Sequence, residues 1–147
     1  MAELPSSVLF SCTLNSVRSP MAEAIAKYLF GKQIYFDSVG VRAEDIDGFA
    51  IAVMDEIGID LHRHHAKTFD DLEDTSFDLV ITLSPEAQHR AVELTRTMAC
   101  DVEFWNTMDP SAIEGSREIR LAAYRAVRDG LLKRIKARFE AQGGPTV

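Results

Sequence analysis

The chain has 147 residues, a net charge of −7 and two cysteines. This length suits a single domain spanning residues 1–147, and the acidic balance argues against nucleic acid or an anionic membrane surface as a partner. No run of about 18 apolar residues is available to cross a membrane, and the Met-Ala-Glu-Leu-Pro start has neither the basic nor the long apolar part of a signal peptide. Two cysteines make no disulfide framework, so a reducing, cytoplasmic setting is expected.

Val8-Leu9-Phe10 reads as a short buried strand. Beyond it, Met21, Ala24, Ile25, Tyr28 and Leu29 recur at helical spacing, and Ser19-Pro20 looks like an N-cap with a first-turn proline. Residues Cys12 to Arg18 are therefore expected to form a strand-to-helix turn that opens on a helix N-terminus. Backbone N–H groups and the helix dipole make such a turn an anion site. These N–H groups, together with the guanidinium of Arg18, favour a thiolate at Cys12, and Arg18 presents a planar fork to two oxygens of a phosphate. A nucleophile, an amide cradle formed by Thr13, Leu14, Asn15, Ser16 and Val17, and a cationic clamp thus lie within seven residues. By spacing alone, a buried cysteine and an unrelated arginine would read the same. The preceding strand, the following Ser-Pro and the enclosed Asn15 favour the catalytic reading.

Cys-x5-Arg is the arrangement of cysteine-dependent phosphatases. Lying near the N-terminus and running on into Ser-Pro-Met-Ala-Glu, it resembles the low-molecular-weight protein-tyrosine-phosphatase family. That resemblance covers essentially the whole chain and implies a three-layer, doubly wound, flavodoxin-like α/β fold with a four-stranded parallel sheet (phosphotyrosine protein phosphatase I type). It also implies that Asn15, Ser19, Ser38 and His64 support the loop.

Farther on, Gly31 suits a helix C-cap, and Ile34-Tyr35-Phe36 reads as a second strand leading into Asp37-Ser38-Val39-Gly40. Ser38 matches the family's loop-holding serine, although a plain turn serine would look alike. Ile46 to Ile57 has helical periodicity, with Gly58 as its stop. In Gly58-Ile59-Asp60-Leu61-His62-Arg63-His64-His65, His64 falls on the family's loop-supporting histidine, and a surface-loop histidine is the plain alternative. His62 and His65 read as solvated. Asp60, Asp70 and Asp71 show no metal-ligand spacing, so no metal is expected.

Phe77 to Thr82 is the clearest strand, followed by Ser84-Pro85, a second cap-and-proline start. The helix after it carries Ala87, Ala91, Leu94 and Met98 inward. Cys100 to Trp105 alternates as a half-buried strand, with Cys100 as a structural residue. Asp109-Pro110 comes next. The pair matches the family's general-acid signature. The resemblance implies that the Asp109 carboxylic acid protonates the leaving group when the thiolate attacks phosphorus, its carboxylate then activating water against the phosphocysteine. Asp-Pro is also a common turn dipeptide. A long amphipathic helix runs from a Gly115-Ser116 cap to Phe139, ahead of a frayed tail at Gln142 to Pro145. Strands alternating with helices imply a parallel sheet with helices on both faces and active residues at the strands' carboxyl ends.

Three departures from the family pattern stand out. Leu14 occupies the usual glycine of the loop's third position, where it either alters the loop conformation or narrows its mouth. Val17 replaces a second loop cysteine. Ser111 and Ala112 stand where tyrosines often line the aryl pocket, and Arg42 and Phe49 are expected in the pocket walls. The leading reading is a metal- and cofactor-free phosphomonoesterase with Cys12, Arg18 and Asp109 as catalytic residues, acting on a phosphoprotein or a small phosphomonoester. The chief alternative is an arsenate reductase of the same fold that borrows a small-molecule thiol. The thioredoxin-coupled form carries two further cysteines after the third strand, and Ser84 to Met98 has none. A weakly active phosphate-binding module is the other alternative. Nothing in the sequence specifies an oligomeric state.

Overall fold

The computed structural model describes residues 4–73 and 76–140. Strands β1 (Ser7–Cys12), β2 (Tyr35–Gly40), β3 (Leu79–Thr82) and β4 (Asp101–Phe104) alternate with helices α1 (Arg18–Phe30), α2 (Gly48–Asp55), α3 (Pro85–Leu94) and α4 (Arg117–Glu140). The sheet is wholly parallel with strand order β2-β1-β3-β4. The order reverses beside β1, at its carboxyl end, where ligands bind in open α/β sheets. None of the described helices is long and apolar enough to cross a membrane.

The period of two along β1 sorts its side chains between the two faces. Val8, Phe10 and Cys12 join the larger cluster with residues of α1, α2 and α4, while Leu9 faces the smaller cluster with Phe69, Phe77, Val80 and Ala91 of α3. Phe10 stacks on Phe36 at 6.0 Å between ring centroids and meets the edge of Trp105 at 6.3 Å. Rings placed in this way under β1 and β2 hold rigid the strand that ends in Cys12.

Two caps are as the sequence suggests. Ser84 accepts from Ala87 N at 3.2 Å to start α3, and Ser116 accepts from Ile119 N at 3.2 Å ahead of α4. The Ser19 cap is not. Helix α1 begins two residues earlier, at Arg18 after Val17, which makes no side-chain cap. The hydroxyl of Ser19, fully buried in the first turn of α1, faces back into the loop, where it meets Cys12 Sγ and Asn15 Nδ2. Helix α2 begins at Gly48, with Asp47 as its cap. Helix α3 stops at Leu94, so Met98 reaches the smaller cluster from outside it. The tail after Glu140 lies outside the described residues.

Candidate active site

Cys12 ends β1 in register with Gly40 and is 2% exposed. Its Sγ lies 3.4 Å from Ser19 N and 2.9 Å from Ser19 Oγ. The Ser19 hydroxyl has one proton and two acceptors to choose from, the sulfur and Val39 O at 3.3 Å. When Cys12 is a thiolate, the Ser19 hydroxyl donates to the nearer, charged sulfur.

Among the described residues, no backbone N–H from Thr13 to Arg18 donates to a protein acceptor. Six consecutive donors without a protein acceptor, in a loop that ends on a helix N-terminus, make a cradle suited to an anion. The chain makes this turn through Asn15, the one described non-glycine residue with positive φ (54°). Leu14 needs no such conformation, so its bulk bears on the mouth of the site, not on the path of the loop. Gly40 closes in from behind: a Cβ there would come within 2.7 Å of Asn15 N and 2.8 Å of Leu14 C.

A buried polar network locks Asn15. Its Nδ2 donates to Ser19 Oγ at 2.9 Å and to Ser38 Oγ at 3.0 Å. Its Oδ1 accepts from Lys67 N at 3.0 Å and lies 3.0 Å from His64 Nε2. Since Lys67 N can only donate, Oδ1 is the acceptor, and His64 carries its proton on Nε2. Burial pushes the His64 imidazole below its ordinary value, against the pull of the Glu23 carboxylate. Glu23 closes the network by accepting from Ser38 Oγ at 2.5 Å and pairing with Lys27.

Arg18 is 8% exposed, and its NH1 donates to Thr107 O at 3.1 Å. Its NH2 stands 3.9 Å from Asp109 Oδ2, while Asp109 Oδ1 accepts from both Ser111 N and Ser111 Oγ. Asp109 thus has one oxygen fixed by the 110–112 turn and the other over the guanidinium. A small hollow over the sulfur is lined by Cys12, Leu14, Ser16, Val17, Arg18, Asp109 and Ser111, none of them aromatic. A wider cleft of about 710 Å³ lies behind the loop, between α1 and residues 58–67, and reaches none of Cys12, Arg18 and Asp109.

Cys12, Asn15, Arg18, Ser19, Ser38, His64 and Asp109 are brought together as the sequence suggests. Arg42 and Phe49 are not in the hollow. Arg42 pairs with Glu86 at 3.2 Å, and Phe49 packs against Tyr124, under Arg117 and Arg120. His62 is exposed but bound to Asp60 at 2.8 Å, and with Asp55 these form an exposed trio. Sequence reasoning passed over Glu23, Lys67, Thr107 and the role of Gly40. Glu23, five residues beyond Arg18 on the same helix, is the one whose spacing gave a signal.

Residues 7–142 match the model of the family described as low molecular weight phosphotyrosine protein phosphatase. The chain is 35% identical over 131 residues to an arsenate reductase of Halalkalibacterium halodurans, covering 88% of this chain and 91% of that one. It is 32% identical over 129 residues to an arsenate reductase of Bacillus subtilis, at the same coverages of 88% and 91%. Among solved structures, an arsenate reductase in the phosphate-binding state superposes with a TM-score of 0.72 at 27% identity, covering 92% of this chain and 98% of that one. A low molecular weight protein tyrosine phosphatase from T. tengcongensis does so with a TM-score of 0.75 at 28% identity, again over 92% and 98%. The curated relatives favour the reductase alternative over the phosphatase reading. On the family match and these near-full-length relatives, the chain belongs to the low molecular weight phosphotyrosine protein phosphatase family, whose fold it shares with arsenate reductases.

Proposed function

We propose that this chain reduces arsenate with Cys12 as nucleophile and with thiols drawn from outside the chain. The observation that carries the reading is the hollow itself. Among the described residues, the six backbone N–H groups of Thr13 to Arg18 have no protein acceptor. Arg18 lines the hollow with Cys12, in a space without an aromatic wall. Such a cradle suits a free tetrahedral oxyanion better than an aryl ester. The arsenate reductases among its relatives support the same reading.

The Cys12 thiolate attacks arsenic(V), forming an S–As bond. The As–O bond opposite breaks, and its oxygen leaves as water after taking a proton from Asp109 or solvent. Arg18 and the loop amides hold the remaining oxygens. A low-molecular-weight thiolate then attacks Cys12 Sγ, forming a mixed disulfide. The S–As pair stays on arsenic, which departs as arsenite. A second thiol frees Cys12 and leaves as the small disulfide. Two thiols thus supply the two electrons. Cys100 plays no part, because it sits before Asp101 at the amino end of the sheet, whereas Cys12 is at the carboxyl end.

The placement of Asp109 favours a second reading, phosphomonoester hydrolysis. A carboxyl 3.9 Å from Arg18, at the mouth of the hollow, is set to protonate a leaving alkoxide and then activate water. Arsenite formation and aryl phosphate hydrolysis, each assayed with wild type and Cys12→Ser, separate the two. Thiol-dependent arsenite production that vanishes in Cys12→Ser supports the first reading. Hydrolysis with no arsenite at any thiol concentration replaces it with the second.

A further inference from the structure

Residues 41–47 leave the end of β2 and run alongside the Cys12 loop, donating to it at four points. Val41 N donates to Cys12 O at 3.1 Å, Arg42 N to Thr13 O at 2.8 Å, Glu44 N to Leu14 O at 3.0 Å and Asp47 N to Ser16 O at 3.0 Å. In a planar trans peptide, the C=O of one residue and the N–H of the next point in opposite directions. Fixing these four carbonyls outward therefore turns the N–H groups of Thr13, Leu14, Asn15 and Val17 away from this strap, into the loop. The strap aims the oxyanion donors.

What holds the strap? Arg42 to Asp45 are all exposed, and the Arg42–Glu86 pair is a surface pair of little worth. One end is anchored by β2 and the close fit of Gly40. At the other end, Asp47 caps α2 by accepting from Phe49 N at 2.7 Å and Ala50 N at 3.2 Å through Oδ1. Its second oxygen, Oδ2, accepts from Tyr124 OH of α4 at 2.9 Å. Tyr124 is 1% exposed and its ring packs at a tilt against Phe49, 5.3 Å between centroids. Burial, with Asp47 beside it, pushes its phenol well above the ordinary range, so it remains a donor at any working pH.

We propose that Asp47 and Tyr124 are positioning residues for the oxyanion cradle, α4 setting the strap and the strap setting the loop amides. This rests on the reading of the Cys12 loop as the oxyanion site. It needs no turnover to test. Inorganic phosphate affinity is measured by calorimetry and by protection of Cys12 from iodoacetamide, for wild type, Tyr124→Phe, Asp47→Ser and the double variant. Serine keeps a cap acceptor for α2 but is too short to reach Tyr124. Each single variant is expected to weaken phosphate binding about tenfold, the effect of one buried hydrogen bond to a charged group. The double variant is expected to lose no more than the worse single one, since both break the same link. A merely structural link would lower Tm while the folded variants kept the wild-type Kd, and that result overturns the proposal. A wild type that does not bind phosphate overturns the oxyanion site itself.

Discussion

His64 Nε2 lies 3.0 Å from Oδ1 of Asn15, the one described non-glycine residue with a left-handed backbone. A residue 49 positions away thus pins the turn that exposes the loop amides. Removing either partner leaves buried polar groups unpaired. Asn15→Ala loses its side-chain hydrogen bonds and its tolerance of positive φ, at an expected cost of about 2–3 kcal/mol. Thermal unfolding measures that cost, and phosphate titration is expected to show oxyanion binding nearly abolished.

The same pair makes stability depend on pH. The unfolded chain takes up a proton at His64 near its ordinary 6.5, whereas burial delays that uptake in the folded chain to lower pH. Between the two values the unfolded state binds more protons. The contribution is therefore complete above about 6.5 and is lost as pH falls through the folded value. Tm followed from pH 7.5 to 5 is expected to fall more steeply in wild type than in His64→Gln. Equal slopes would contradict this.

Leu14 lines the hollow and has no left-handed backbone, so its bulk is expected to act on access and not on the shape of the loop. Leu14→Gly is expected to keep phosphate affinity and to cost about 0.4–1 kcal/mol through the freer unfolded chain. Under the second reading, phosphomonoester hydrolysis, it is also expected to raise kcat/KM for an aryl phosphate by widening the hollow. Steady-state kinetics on aryl and alkyl phosphates check it, and a collapse of both would return a conformational role to this position.

Cys100 is a packing residue. Burial, with Asp101 beside it, pushes its thiol up, away from reactivity. Cys100→Ser is expected to leave thiol-dependent arsenate reduction within about twofold of wild type, as for changes remote from the reacting atoms. A large loss would mean that Cys100 takes part in the electron path.

Much of the site was legible because its chemistry is local. Cys12, Asn15 and Arg18 lie in one turn, and the period-two runs of β1 and β3 place that turn at the carboxyl edge of the sheet. Ser19 misled because Ser-Pro is a good helix start, and sequence spacing cannot show that a buried network has claimed the hydroxyl. Phe49 misled for a related reason: its face of α2 is settled by Tyr124, 75 residues away. Likewise, the Tyr124–Asp47 and Thr107–Arg18 bonds join segments 77 and 89 residues apart. Only the packed fold brings such pairs together.

In the proposed reaction, Cys12 alone carries arsenate reduction through an arsenic adduct and a mixed disulfide. The most direct measurement incubates the protein with arsenate and glutathione, quenches it in acid and maps the modified cysteine by mass spectrometry. A glutathione adduct on Cys12 that forms only when arsenate is present is the predicted result. An adduct that forms equally without arsenate, or that resides on Cys100, would contradict it.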